Sequence, residues 1–183
     1  MSPVAIAIIV IALLVVAGIA ITLMRRRTRD RLQSHFGSEY QHQLEQAHGN
    51  RAQADAALLK REKRVDKLDI RPLAPEQRER FLDDWTLVQA KFVDDPERSV
   101  AQADALLAEV MRARGYPVED FEQRAGDLSV EHPRLVENYR ASHEIARRHA
   151  RGDAGTEDLR SALIGYRALF EELLGTSQPE LAH

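Results

Sequence analysis

Cysteine is absent from all 183 residues, which excludes disulfides, thiol catalysis and thiolate metal sites while leaving the redox compartment undetermined. Aromatic residues make up only 5% of the chain, whereas Ala, Leu, Arg and Glu are plentiful; that balance suits helices and is poor for sheets. No segment of helix-like length alternates apolar and polar residues with period two, and there is no internal repeat. A Gly-rich phosphate loop, a nucleophile elbow and a dinucleotide fingerprint are all missing. Ser and Thr are few and stand mostly at helix starts, so nothing specific points to a hydroxyl nucleophile with His and Asp partners. The expected fold class is all-α, with no cofactor and no catalytic residue assigned.

Charge is missing altogether from one long stretch. Val4 to Met24 form 21 consecutive uncharged residues, nearly all Val, Ile, Leu or Ala, which as a helix reach ~30 Å, enough to cross a bilayer. Five basic side chains follow, Arg25, Arg26, Arg27, Arg29 and Arg31, with only Asp30 among them. A cleaved signal peptide is the competing reading, since Gly18-Ile19-Ala20 resembles a small-residue cleavage site. Against it, no Lys or Arg precedes the apolar run, the run exceeds a signal core in length, and it ends in stop-transfer fashion at Arg25 to Arg27. Basic flanks stay on the cytoplasmic side, so the sequence predicts a single pass through the plasma membrane by residues 4–24, N-terminus outside and C-terminal domain cytoplasmic. Gly18 and Thr22 make one small-xxx-small pair, which would permit a weak homo-oligomer. The chain beyond the collar is more acidic than the overall charge of -3, so nucleic acid is not an expected partner.

The remaining chain reads as helices separated by Gly and Pro. Residues 1–24 are the expected anchor and 25–35 a basic collar. Residues 36–69 are expected to form a polar juxtamembrane stalk helix, broken from the anchor at Gly37 and capped by Ser38. Its weak heptad seam is Leu44, Ala47, Arg51, Ala54, Leu58, Arg61, Val65 and Leu68, interrupted at Gly49-Asn50. Pro72 and Pro75 mark the joint to a small antiparallel bundle over 70–175. Its first helix carries an apolar stripe of Phe81, Leu82, Trp85, Val88, Phe92 and Val93. Asp95 caps a second helix bearing Val100, Ala103, Leu106, Leu107, Val110 and Met111. Gly115 stops it and Pro117 restarts the chain into a short helix with Phe121, Ala125 and Leu128. After His132-Pro133 a further helix bears Leu135, Val136, Tyr139, Ile145 and Ala146. Thr156 is the expected cap of the last helix, whose stripe is Leu159, Leu163, Tyr166, Leu169, Phe170, Leu173 and Leu174, with Gly175 as its stop. Residues 176–183 are expected to be a flexible tail.

Seven histidines do not make a metal site by spacing. His143 and His149 fall on different faces of a helix, His143-Glu144 lacks the second His of a His-Glu-x-x-His motif, and His35 and His42 are separated by Gly37. Asp83-Asp84 and Asp94-Asp95 have plainer roles, on a polar helix face and at a cap. Two corners carry residues that are neither core nor cap: Arg114 to Pro117, and Glu131-His132-Pro133. Tight turns account for their Gly and Pro, and Arg114, Tyr116 and His132, with Arg140 and Arg160 similar in type, form a candidate partner surface.

Phe36-Gly37-x-Glu39-Tyr40, Ile70-Arg71-Pro72-Leu73, Trp85 with Val88-Gln89 and Phe92-Val93-Asp94, Arg114-Gly115-Tyr116-Pro117 with Asp120-Phe121-Glu122, Ser129-Val130-x-His132-Pro133 and Thr156-Glu157-Asp158-Leu159-Arg160 together resemble an uncharacterised family of small bacterial membrane-anchored helical proteins. The resemblance implies a bacterial source and a shared layout, and no activity. The expected function is a membrane-tethered helical protein-interaction module, a scaffold or adaptor. The alternatives are a small-ligand sensor or enzyme with a site between helices, and an envelope or secreted helical protein.

Overall fold

The computed structural model describes residues 3–175, with side chains described from residue 12 onward. The expected tail, 176–183, and the side chains of residues 4–11 in the expected anchor lie outside the described residues. Eight α-helices account for the regular structure of the described residues, with no strand among them. The chain divides into two compact units, Met1–Leu58 and Leu59–His183.

In the first unit, α1 (Pro3–Phe36) is followed by α2 (Ser38–Gln46) and the start of α3 (Arg51–Val65). Gly37, at φ 53°, ends α1 and is itself the cap position of α2. Ser38 is therefore the first helical residue and not the cap, because the break between α1 and α2 uses a positive-φ backbone that glycine adopts without strain. The expected single stalk helix is two helices. His48 and Gly49 both have positive φ, and that pair of left-handed residues interrupts the ladder before Asn50, whose side chain accepts from the Gln53 N–H at 3.1 Å and starts α3. Leu32, Phe36, Tyr40 and Ala54 are fully buried. Of the seam positions, Ala47, Ala54, Leu58 and Val65 are buried, whereas Arg51 is exposed.

Large apolar side chains of α1 from Leu13 to Met24 are all exposed. Among the described residues no helix is long and apolar enough to cross a membrane; the apolar side chains described, over 12–24, make up only part of the uncharged stretch.

The second unit is a helical bundle of α4 (Pro75–Lys91), α5 (Pro96–Arg114), α6 (Phe121–Glu131), α7 (Pro133–Ala150) and α8 (Thr156–Leu174). Helix α8 is central: it packs along both α7 and α5, while α4 covers α5 and α6 covers α7. The reason is in its sequence, since Leu159, Ala162, Tyr166, Leu169, Phe170, Leu173 and Leu174 are all buried, a stripe wide enough to serve two neighbours. Burying one such side chain contributes ~1.5–3 kcal/mol. Trp85 of α4 stacks on Phe170 with ring centroids 4.6 Å apart, and every expected core position of α5 is buried.

Three local expectations are corrected. Val93 is 85% exposed, because α4 stops at Lys91 and the turn that follows rotates Val93 off the apolar stripe while Phe92 stays buried. Pro117 does not start α6; Asp120 does, accepting from the Gln123 N–H at 2.8 Å. Gly155, not Thr156, occupies the cap of α8, and the Asp158 carboxylate reaches back to accept from its N–H at 2.9 Å. An acidic residue in the first turn serves the exposed amides and the helix dipole together.

Candidate functional site

The end of α5 and the α6–α7 corner meet around one tyrosine. Gly115, at φ 99°, lets the chain turn out of α5 so that the Gly115 and Tyr116 N–H groups satisfy the Arg112 and Met111 carbonyls at 3.1 and 2.9 Å. The turn directs the Tyr116 ring into the core, where it is 2% exposed. Its hydroxyl donates to Glu131 Oε2 at 2.5 Å. Burial, reinforced by the Glu131 carboxylate, pushes the Tyr116 hydroxyl well above its ordinary pKa, so it remains a donor.

His132 ends α6 and precedes Pro133, the first residue of α7. Its Nδ1 is 3.3 Å from Glu172 Oε1 of α8 and its Nε2 is 3.8 Å from Glu131 Oε2. Burial lowers the His132 pKa, against the pull of Glu172 and Glu131, with Arg114 adding to the lowering. Arg114 donates to the Leu173 carbonyl at 3.3 Å and lies 5.9 Å from the Tyr116 ring centroid. A cation on the last carbonyls of α8 is well placed against the helix dipole. The structure thus brings Arg114, Tyr116 and His132 together, although Tyr116 is an internal support and the exposed part of the corner is Glu131 with the edges of His132 and Glu172.

Arg140 and Arg160 stand elsewhere. Arg140 donates to Glu122 at 2.7 Å beside the Phe121 ring; Arg160 donates to Glu157 at 3.2 Å and lies over the Phe92 ring.

Two polar clusters were not singled out by sequence. On α6, Asp127 is fully buried and takes an ion pair from Arg64, while Arg61 lies against Gly126 and donates to Ser129 at 3.0 Å. Ser129 in turn donates to the Gly126 carbonyl at 2.7 Å. The signal for this was Arg61 itself, an arginine in the apolar register of Leu58 and Val65 that has to find a polar partner. The second cluster is centred on Asp104, which accepts from Arg124 and from the Tyr139 hydroxyl, both at 3.1 Å. These clusters hold helices together: Arg64 of α3 pairs with Asp127 of α6, and Asp104 of α5 is met by donors from α6 and α7.

Among the described residues no group of three or more His, Cys, Asp or Glu is placed to hold a metal ion. His143 stacks flat on Phe121, centroids 3.6 Å apart. A cleft of about 240 Å³ between α4 and α5 is lined by Lys91, Asp94, Asp95, Arg98 and Ser99, but its two cations and two anions balance, and Asp95 already accepts from the Arg98 N–H.

In the first unit, Arg25, Arg26, Arg27 and Arg31 of the basic collar are exposed. Arg29 is turned inward onto Asp55 of α3. No family model, curated protein or solved structure matches this chain.

Proposed function

We propose that the chain is a single-pass membrane-tethered helical interaction module of a bacterial cell, with a short N-terminus outside, residues 4–24 as the span and the helical bundle in the cytoplasm. The observation that carries this reading is the exposed apolar surface of α1. Leu13, Leu14, Val15 and Val16 are consecutive, so at 100° per residue they face all sides of the helix, and all are exposed. A helix that is apolar all round belongs in lipid or in a large protein core. The charge-free residues before it extend it to span length, and the arginines after it set its orientation.

The module reading is supported by how the bundle uses its polar groups. Asp104 and the Tyr116 hydroxyl join elements of the bundle to one another and Asp127 ties α6 to α3, links that suit the bundle to presenting a fixed surface. The corner of Glu131, His132 and Glu172, underpinned by Arg114 and Tyr116, is the proposed partner face. Crosslinking capture by the full-length chain from intact bacterial membranes tests it, run beside an H132A/E172A variant whose helix content matches the parent. A specific partner retained by the parent and lost by the variant supports the reading. Capture that is identical for both removes this corner from it, and no specific capture at all removes the module reading.

A further inference from the structure

The five collar arginines are not one class. Arg25, Arg29, Leu32 and Phe36 follow at intervals of four, three and four, so they share a face of α1. Leu32 and Phe36 on that face are fully buried, and Arg29 joins them with its side chain 28% exposed. Its Nε and Nη2 donate to Asp55 Oδ2 at 3.2 and 3.1 Å, and the Tyr40 hydroxyl donates to Asp55 Oδ1 at 2.9 Å. Asp55, itself 15% exposed, is thereby met by donors from α1 and α2 while it sits on α3. Arg25, Arg26 and Arg27 are different: all are exposed, they make no ion pair among the described residues, and as consecutive residues they fan around the helix one turn before Arg29.

We infer that Arg25, Arg26 and Arg27 form a binding surface for the phosphates of anionic lipid headgroups, while Arg29 holds α2 and α3 against α1 and takes no part in lipid binding. The inference rests on the membrane-anchor reading and divides the collar in a way that reading does not. A guanidinium presents planar forked donors that match phosphate oxygens. Three of them spread over about 200° of the helix, directly after Met24, meet headgroups on more than one side of the span at the leaflet whose negative surface attracts them. Arg29 is already neutralised by Asp55, and moving it to a headgroup would leave that carboxylate partly buried without its cation.

The test uses the full-length chain in phosphatidylcholine vesicles containing a minority of phosphatidylglycerol, with spin-labelled forms of each lipid reporting which one associates with the protein. The parent is expected to prefer phosphatidylglycerol several-fold, R25Q/R26Q/R27Q to lose that preference, and R29Q to keep it. Because R29Q can disturb the fold, D55N serves as the second variant: it frees Arg29 while leaving every arginine in place, and is expected to keep the preference or raise it. A triple variant that still selects phosphatidylglycerol overturns the inference. So does loss of selectivity in R29Q together with D55N. Alkaline carbonate extraction of the same vesicles separates the two readings. Release of the chain ends the anchor reading and this inference with it, whereas a retained chain with no lipid preference ends this inference alone.

Discussion

Gly165 of α8 and Ser142 of α7 face each other with no room for a β-carbon between them. A Cβ at Gly165 would overlap the Ser142 hydroxyl and stand 3.1 Å from the Asn138 carbonyl oxygen. Ser142 Oγ donates to that same carbonyl at 2.8 Å, so the contact is locked in place by the hydrogen bond beneath it.

Gly165→Ala therefore sets two effects against each other. Replacing a mid-helix glycine with alanine gains ~1 kcal/mol of helix propensity, but the new methyl meets a backbone oxygen that cannot yield, and overpacking of this kind costs ~1–3 kcal/mol. The expected outcome is a net loss of up to ~2 kcal/mol, part of which S142A/G165A recovers by removing the hydroxyl. Urea unfolding followed through the single tryptophan, Trp85, reads the bundle directly, because that ring is stacked in its core.

The Arg64–Asp127 pair predicts an asymmetry. Asp127 is fully buried and its Oδ2 has no hydrogen-bond partner among the described residues, whereas the Arg64 side chain is 46% exposed. Arg64→Ala strands a buried carboxylate, a change that typically costs ~3–5 kcal/mol. Asp127→Asn lets Arg64 turn to water and removes the buried charge, so its expected cost is below ~1 kcal/mol. Burial raises the Asp127 pKa, with Arg64 and Arg61 opposing the shift. A raised folded pKa means that this group favours folding below its unfolded value and loses that contribution as pH rises through the folded one. Equal losses in the two variants would show that the pair is not organised as described.

His132 gives the opposite sign. Burial puts its folded pKa below the ordinary value, so its contribution to stability is complete above an unfolded pKa of about 6.5 and is lost as pH falls through the folded one. Glu172 and Glu131 limit that loss and Arg114 adds to it. Cooling of the Trp85 melting transition between about pH 7.5 and 5.5 should accordingly be smaller in His132→Asn than in the parent. His143, also lowered by burial, acts in the same direction in both proteins, so the difference between them isolates His132. Identical pH dependence would place His132 outside the account of the corner.

The apolar stripes of α5 and α8 were readable in the sequence because a helical period over many residues leaves little choice about which face is buried. The corner was partly readable. Gly115 and Pro133 announced the turns, and Arg114, Tyr116 and His132 stood out as unassigned polar residues, but the inward direction of Tyr116 depends on the left-handed backbone at Gly115. Glu172 gave no sign, since its connection to His132 crosses from one helix to another. The same is true of Asp127, a charged residue on a short helix whose partner Arg64 lies 63 positions away. Arg29 shows the other side of the matter: its role was legible in its register with Leu32 and Phe36, yet the five arginines read together suggested a single collar. Val93 and Thr156 were misplaced by small errors at helix ends, where one residue decides whether a side chain faces the core or the amide cap.

Topology is where the central claim is most exposed, and the absence of cysteine makes it measurable with a single introduced thiol. Ser2→Cys and Val93→Cys, the latter at a position 85% exposed, are labelled with a membrane-impermeant maleimide in bacterial spheroplasts before and after the membrane is opened. The account predicts that Ser2→Cys reacts from outside in sealed spheroplasts and that Val93→Cys reacts only once the membrane is open. Labelling of Val93→Cys in sealed spheroplasts, or recovery of the chain in the supernatant without detergent, would contradict it.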